Sequence, residues 1–519
     1  MASFTHPYPM SCKRLPAAAV MVAVMAAIGP AATAVAAAAP PQVMLHVPIL
    51  AAACTGGCQI DAAEQFAPGV LAMPLHSYEH APGAQALAVS ADGGAVFAGA
   101  SARGTGSSTY DPAHRSWSAA NAIWGGRDSM ELLAAGPNVR YDNGLLVLQP
   151  GNQSWASTFR MRYEWDASVH ALRVTNQSTP VTFVGLPKPA RAPAADGNIL
   201  PTGFLPPTWI RFNGGSIVHL GNSTWLRTAM VCFEDNPRAP ASTSIVAFIS
   251  RDSGSRWVYM ATVVDAAAVA AESMEGPNEH DIVRLPGGRL VIAMRFDGGD
   301  GHDACIANCT AAGWKPYFWS TSDDEGRSWS APVPMVGTGS ARPRLLLLGS
   351  STLLLSGGRM RYKTVDGVGP STDNNLWVAD ATVVATGAAP PVWRPYAISY
   401  WHNLLYDGKD GAPGRYTSRV NSSATNKPET RSYGALLPAC ANGSGISCSE
   451  AVLLYGIGSK DFANGDATPE TNNTDAPGQP PPHCGANSST MGMMGRYCTY
   501  VFAMRISVAP QPFAPVQSP

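Results

Sequence analysis

One acid–base pair stands out in the sequence by its spacing. Glu279 precedes an apolar run, Gly287-Gly288 supplies a turn, and a second apolar run ends at Arg295. Two antiparallel strands joined by this turn would return Arg295 to the rim that holds Glu279. A carboxylate and a guanidinium at one rim could bind an anionic group and move a proton. The two residues could instead be a surface acid and a surface base, and Glu275 is the fallback for Glu279.

Further candidates follow when this strand–turn–strand segment is superposed on its repeats. Arg342 aligns with Glu279, and Arg359 falls within one position of Arg295. Tyr433 occupies the Glu279-like position of the last repeat, where the alternative is a packing tyrosine at a strand start. Because only 14% of the residues are charged, a group of three arginines is less typical of a plain surface than of a functional site.

The elements that must position these residues are short strands. Residues 244–250, 289–294 and 351–355 are apolar runs bounded by Gly, Pro, Asp or Asn. Helical periodicity is nearly missing, and residues 265–273 are the only helix candidate. Copies of the strand–turn–strand pattern begin roughly 60–90 residues apart, a spacing that suits four-stranded propeller blades with insertions.

The sharpest motif is S-x-D-x-G-x-x-W, which occurs twice. The copies run from Ser250 to Trp257 and from Ser322 to Trp329, about 70 residues apart. The aspartate can accept turn N–H groups, the glycine supplies a positive φ, and the tryptophan packs between sheets. Two copies at blade spacing therefore predict two equivalent hairpins.

These motifs resemble the Asp-boxes of the sialidase (neuraminidase) superfamily, and the similarity extends over roughly residues 205–505. The resemblance implies an all-β, six-bladed β-propeller with Asp-box hairpins at its outer rim and a site on its axis. Residues 82–186 look like degenerate earlier blades, so the propeller is expected to span 82–508. Residues 42–81 would form an N-terminal extension, and 509–519 a Pro-rich tail.

The resemblance also implies roles for seven residues. Tyr433 would be the nucleophile, Glu279 its base and Asp235 the acid/base. The substrate carboxylate would be held by arginines, namely Arg295, Arg359 or Arg342, and Arg211. The family's early Arg-Ile-Pro motif is missing, and Arg211 lies about three residues out of place when the repeats are superposed.

The expected function is that of a secreted exo-glycosidase that hydrolyses terminal sialic acid or a related acidic sugar from glycoconjugates with retention. No cofactor is required. One alternative is a catalytically inactive Asp-box propeller that binds glycans or proteins, which the missing Arg-Ile-Pro favours. Another is a different glycosidase or lyase chemistry on the same scaffold, because a fold does not fix a function.

The first 41 residues are typical of a cleaved secretory signal. Lys13 and Arg14 precede an apolar run that is too short for a membrane span, and small residues follow. The ten cysteines and eight Asn-x-Ser/Thr sequons fit an exported, glycosylated protein. Four local pairs are candidate disulfides, namely Cys54/Cys58, Cys305/Cys309, Cys440/Cys448 and Cys484/Cys498.

Composition excludes several other classes. A formal net charge of -1 argues against nucleic acid as a partner and against a polybasic membrane-surface protein. No segment after the signal is apolar enough for stable membrane insertion.

The cluster Asp297, Asp300 and Asp303 could form a calcium loop, but a Gly-Asp turn is favoured. No metal site is expected, because His280 and His302 have no second ligand at metal spacing.

Overall fold

The short apolar runs form strands over nearly the whole described part of the chain, which confirms the all-β prediction. The computed structural model describes residues 41–55, 59–60, 63–67, 69–76, 86–95, 97, 122–126, 129–135, 145–146, 155–166, 171–187, 210–211, 217–221, 223–231, 233, 242–252, 254, 256–273, 276–296, 316–339, 341–360, 372–387, 390–407, 430–439, 448–458 and 498–508. Two short helices occur among them, α1 (Ala381–Thr386) and α2 (Ile398–Asp407).

The first two sheets contain the strands from residue 59 to residue 264. Sheet I comprises β3 (Gln59–Ile60), β4 (Glu64–Ala67), β5 (Val70–His76) and β6 (Ala86–Ser90). Sheet II comprises β7 (Ala122–Gly126), β8 (Ser129–Ala135), β9 (Leu145–Leu146), β10 (Trp155–Asp166), β11 (Ala171–Val184), β12 (Ile210–Arg211), β13 (Val218–Gly221), β14 (Thr224–Val231), β15 (Ser244–Ser250) and β16 (Arg256–Val264). The parallel pairing of β11 with β16 joins two antiparallel halves of sheet II.

The remaining strands form two four-stranded antiparallel sheets and one sheet of five strands. Sheet III comprises β17 (Pro277–Arg284), β18 (Leu290–Phe296), β19 (Tyr317–Ser322) and β20 (Val333–Met335). Sheet IV comprises β21 (Ala341–Leu348), β22 (Thr352–Met360), β23 (Thr372–Asp380) and β24 (Arg394–Ala397). Sheet V comprises β25 (Thr430–Pro438), β26 (Glu450–Gly458), β27 (Cys498–Val508), β1 (Val43–Leu45) and β2 (Ile49–Thr55).

Sheet V brings together residues from opposite ends of the sequence. Both β1 and β2 pair antiparallel with β27, as in the pairs Leu45–Ile506 and Ile49–Ala503. Residues 43–55 lie within the predicted N-terminal extension (42–81), and they contribute the edge strands β1 and β2 of sheet V.

Buried aromatic and aliphatic side chains fill the spaces between neighbouring sheets. Trp319 and Trp377 are fully buried in one cluster between sheets III and IV. Tyr455 and Phe502 are fully buried in a second cluster between sheets IV and V, where α2 contributes Ile398. The first strands of neighbouring sheets also contact one another, as β17 does with β21 and β21 with β25.

Both S-x-D-x-G-x-x-W segments form the same hydrogen-bonded turn, here termed a serine–aspartate turn. The hydroxyl of Ser322 donates to Asp324 Oδ1 (2.8 Å) and accepts the N–H of Gly326 (2.8 Å). Ser250 makes both contacts at 2.8 Å, to Asp252 and from Gly254. The glycines have φ of +91° and +89°, the left-handed region that favours glycine.

A third serine–aspartate turn was missed from the sequence. Ser90 donates to Asp92 Oδ1 (2.7 Å) and accepts the N–H of Gly94 (2.9 Å), whose φ is +86°. Phe97 occupies the position that tryptophan holds in the other two copies. The turn follows β6, just as the other two follow β15 and β19.

The one helix candidate named from the sequence is not a helix. Residues 265–273 form successive turns. The N–H of Ala268 donates to the Asp265 carbonyl three residues earlier, and the Asp265 carboxylate accepts the N–H of Ala267. The aspartate side chain competes for backbone donors and so favours a turn.

Several predictions fall on residues that are not described. They are the signal segment through residue 40, the tail after 508, Asp235, Glu275, the aspartates 297–303, Cys58, Cys305/Cys309, Cys440 and Cys484. Cys448 is disulfide-bonded, and its partner is not among the described side chains. None of the described helices is long and apolar enough to cross a membrane. Among the described residues no cluster of three potential metal ligands occurs.

Candidate functional site

The sheets have two distinct ends, and the predicted site residues that the structure describes lie at one of them. In sheet III, Leu290 pairs with Ser322 next to the serine–aspartate turn, whereas Met294 pairs with Phe318 towards the opposite end. Pro277 pairs with Phe296 at that opposite end. The end of each sheet that lies away from the serine–aspartate turn is here called the site end. Glu279 and Arg295 both lie there, because β17 begins and β18 ends at it.

Glu279 and Arg295 form a buried ion pair. Arg295 Nη1 donates to Glu279 Oε2 at 2.9 Å, and the two residues are 8% and 4% exposed. The same carboxylate oxygen accepts the backbone N–H of Arg342 at 2.8 Å. One oxygen therefore ties together β17, β18 and β21, the first strand of the next sheet. Hydrogen bonds of this kind to a charged group are stronger than neutral ones and fix its orientation.

Further contacts join the site ends of neighbouring sheets. On one side of sheet III, Thr243 Oγ1 donates to the Pro277 carbonyl at 2.7 Å. On the other side of sheet IV, Asn374 lies against Gly434 of β25 so closely that a Cβ on the glycine would stand 2.8 Å from Asn374 Nδ2. The site ends of sheets II, III, IV and V therefore form one continuous region.

The backbone places the other predicted residues in the same region. Arg211 pairs with Met230, which lies as far from the serine–aspartate turn of sheet II as Arg295 lies from that of sheet III. Arg359 pairs with Asp373 near the end of β22. Tyr433 lies in the irregular start of β25, where the register with β26 shifts.

Arg342 occupies an interior position. It is 1% exposed, and its Nη1 donates to the carbonyl of Ile60 in sheet I at 3.4 Å. The structure thus brings Glu279, Arg295 and the Arg342 backbone into contact. The backbones of Arg211, Arg359 and Tyr433 lie on strands towards the same end of the sheets, and Asp235 lies outside the described residues.

Two polar residues that were not among the predicted catalytic or binding residues follow Glu279 on β17. Asp281 is 2% exposed, and its Oδ2 accepts the N–H of Leu345 at 2.8 Å, a second link from β17 to β21. His280 is fully buried, and its Nδ1 lies 2.7 Å from the Asn278 carbonyl. The signal in the sequence is the run Asn278–Asp281, where polar residues interrupt the alternation of an otherwise apolar strand.

His280 is neutral at physiological pH. The pKa of its ring is lowered from 6.5 to about 4, chiefly by burial and to a smaller extent by the nearby guanidinium groups of Arg344 and Arg227. Hydrogen bonds with backbone carbonyls of Asn278 and Thr228 oppose this shift. A neutral imidazole near the arginines adds no positive charge to the interior, so His280 has a structural role in packing and hydrogen bonding.

The arrangement can bind an anion and accept a proton. Arg295 supplies a guanidinium beside an oriented carboxylate, which suits recognition of a planar acid. Glu279 can act as a base toward a hydroxyl brought against it. A serine–aspartate turn, by contrast, stabilises a hairpin at the opposite end, where none of these groups lies.

No family model matches the chain, and a search of curated proteins finds no match. Several solved structures are similar at low identity. A protein of unknown function from Dyadobacter fermentans is 14% identical with a TM-score of 0.46, over 90% of this chain and 99% of that chain. The Hadza microbial sialidase Hz136 is 12% identical (TM-score 0.40, 79% and 63%), and an alpha-L-arabinanase of Penicillium chrysogenum is 12% identical (TM-score 0.39, 80% and 94%). At these scores the likenesses assign neither a family nor an activity.

Proposed function

We propose that this chain is a sialidase-like glycoside hydrolase with six propeller blades and its active site at the site end of the sheets. It would remove terminal sialic acid or a related acidic sugar from glycoconjugates. The observation that carries the proposal is the buried Glu279–Arg295 ion pair. The proposal is supported by strand register, in which the backbones of Tyr433, Arg211, Arg342 and Arg359 also lie towards the ends of strands away from the serine–aspartate turns.

Each predicted residue has a chemical task in this proposal. The arginines hold the carboxylate of the sugar, because guanidinium groups match its planar geometry. Glu279 accepts the phenol proton of Tyr433, whose oxygen forms a bond to the anomeric carbon. The bond from that carbon to the leaving oxygen breaks, and Asp235 donates a proton to this oxygen. Water then attacks the anomeric carbon while Asp235 accepts a proton from it, and the bond from that carbon to the Tyr433 oxygen breaks. Glu279 returns its proton to the Tyr433 phenolate, and the anomeric configuration is retained.

We also propose that the protein acts outside the cell or in the secretory pathway. The signal-like residues 1–41 and the local cysteine pairs support export. The disulfide at Cys448 fits an oxidising compartment, with Cys440 as its proposed partner. Non-reducing peptide mapping of the secreted protein tests this pairing, and a free thiol at Cys440 would refute it.

Turnover of an aryl ketoside of sialic acid tests the proposed activity. The purified, glycosylated protein should release the aryl alcohol, and proton NMR should show the first sugar product with the anomeric configuration of the substrate. A first product of inverted configuration would contradict the tyrosine mechanism. Absence of turnover on every acidic ketoside would contradict the hydrolase assignment.

A matched pair of arginine variants tests the assignment of the binding group. Arg295→Ala should weaken substrate binding about 10–150-fold, since a hydrogen bond to a charged group is lost. Arg505→Ala is the control, because Arg505 forms an ion pair with Glu450 on the surface, away from the candidate site. Equal effects of the two variants on KM would show that Arg295 does not bind the substrate.

A glycan-binding propeller without catalysis is the second candidate. The burial of Arg342 favours it, because its guanidinium is directed to a backbone carbonyl in sheet I. The absence of an Arg-Ile-Pro motif points the same way. Binding of sialylated glycans without turnover would establish this alternative.

A further inference from the structure

A strained peptide lies behind the Glu279 carboxylate. Arg342 has a φ of +41°, in the left-handed region that non-glycine residues rarely adopt. It also precedes Pro343, and the residue before a proline is restricted to extended conformations. The pairing of β21 with β22 shifts between Ala341 and Arg344, which marks a bulge. Surrounding contacts must hold the backbone in this conformation.

Two hydrogen bonds grip the peptide unit between Ala341 and Arg342 from opposite sides. The hydroxyl of Tyr317 donates to the Ala341 carbonyl at 2.5 Å. The N–H of Arg342, in the same peptide unit, donates to Glu279 Oε2 at 2.8 Å. Tyr317 is fully buried and Glu279 is 4% exposed, so water does not compete with either contact.

The local sequence leaves a space for the Tyr317 hydroxyl. A Cβ on Gly357 would stand 2.0 Å from this oxygen and 2.7 Å from the Ala341 carbonyl. The ring itself is held by an edge-to-face contact with Trp377, with centroids 5.9 Å apart. The phenol is therefore fixed by its ring on one side and by a glycine on the other.

We propose that Tyr317 is a positioning residue for Glu279. Its hydroxyl fixes the Ala341–Arg342 peptide, and the N–H of that peptide aims the Glu279 carboxylate towards the space in which Glu279 would act. Arg295 holds the same carboxylate oxygen from β18. The predicted effect of Tyr317 on catalysis rests on the proposed function. The hydrogen-bonded relay from Tyr317 through the Ala341–Arg342 peptide to Glu279 does not, because it requires no substrate.

Amide hydrogen exchange tests the relay without a substrate. Tyr317→Phe removes the hydroxyl and keeps the ring contact with Trp377. Exchange at the Arg342 amide should accelerate at least about tenfold in this variant, since the buried N–H loses its fixed alignment with Glu279. Tyr259→Phe is the matched control, because the Tyr259 hydroxyl bonds to Thr262 in sheet II. Unchanged exchange at Arg342 in Tyr317→Phe overturns the proposal.

Kinetics with a double-mutant cycle test the consequence for Glu279. In the active protein, Tyr317→Phe should lower kcat about tenfold with little change in KM. In a Glu279→Gln background the same substitution should have no further effect on kcat, because the residue through which it acts is already altered. Equal effects on kcat in both backgrounds would show a merely structural role and overturn the positioning of Glu279.

The two arms separate the two proposals. Faster exchange at Arg342 in Tyr317→Phe, together with a wild-type protein that hydrolyses no acidic ketoside, supports the relay and overturns the hydrolase function. Turnover by the wild type, together with unchanged exchange at Arg342 in Tyr317→Phe, supports the hydrolase function and overturns the relay.

Discussion

Acidification should destabilise this protein through two buried histidines. Burial lowers the pKa of His280 from 6.5 to about 4 and that of His402 to about 3, and both side chains are fully buried. In the unfolded chain a histidine binds a proton below about pH 6.5. Since the folded protein does not bind these protons until the pH is much lower, its stability falls as the pH falls through this window.

The size of the effect follows from the two pKa values. Between about pH 8 and pH 5, each histidine should remove roughly 2 kcal/mol from the free energy of unfolding. Because His402 lies on α2 against Tyr455 and His280 lies on β17, the two contributions should add. The summed loss is roughly 4 kcal/mol, a large part of the stability of a typical domain.

Urea denaturation at the two pH values measures this loss. His280→Asn removes one titrating group, so the drop in the free energy of unfolding between about pH 8 and pH 5 should shrink by roughly 2 kcal/mol. The variant has its own cost at both pH values, and only the difference between them is compared. An identical drop in the wild type and in His280→Asn would show that His280 is protonated in the folded protein, which would refute the reasoning.

Three further predictions concern stability. Gly326→Ala should lower the free energy of unfolding by about 2–3 kcal/mol, because its Cβ would stand 2.4 Å from Leu226 Cδ1 at a φ of +91°. Gly287→Ala, at a φ of +89° with open space around it, should lower it by about 1 kcal/mol. Thermal denaturation compares the two variants. Arg295→Ala should destabilise the protein by about 3–5 kcal/mol, because the Glu279 carboxylate stays buried after its ion-pair partner is removed. Arg505→Ala should destabilise it by under about 1 kcal/mol. Equal losses of stability in urea denaturation would contradict this difference. Leu45→Asp should weaken the pairing of β1 with β27 by about 2–4 kcal/mol, and an unchanged melting temperature would refute the role of the N-terminal strand in sheet V.

Local sequence patterns predicted the parts of the fold that depend on neighbouring residues. The two serine–aspartate turns and the β17–β18 hairpin each lie within a few residues of their own turn, so spacing alone predicts them. The third turn has the same serine, aspartate and glycine, but Phe97 replaces the tryptophan, and a search for tryptophan passes over it.

Long-range pairing was beyond the same reasoning. Nothing near residue 45 or 49 indicates that β1 and β2 pair with β27, since strand partners across the whole chain leave no local pattern. Superposition of the repeats left Arg211 about three residues out of place, and its position in the sheet became defined only through its pairing with Met230.

The candidate site shows the same division. Sequence spacing placed Glu279 and Arg295 at one rim, and the structure joins them at 2.9 Å. It did not indicate that the Arg342 backbone would turn to a φ of +41° and donate to Glu279, because that conformation is imposed by Tyr317 and the bulge. Sequence reasoning therefore found side chains that could do chemistry, while the contacts that orient them required the folded structure.

The rate of Tyr433→Phe on an aryl sialoside tests the central claim most directly. If Tyr433 is the nucleophile, removal of its phenol oxygen should abolish turnover and leave substrate binding largely intact, since the arginines remain. Tyr259→Phe, which removes a phenol oxygen in sheet II, should keep the wild-type rate. A Tyr433→Phe protein that retains the full rate would contradict the account, because no covalent step could then pass through this residue.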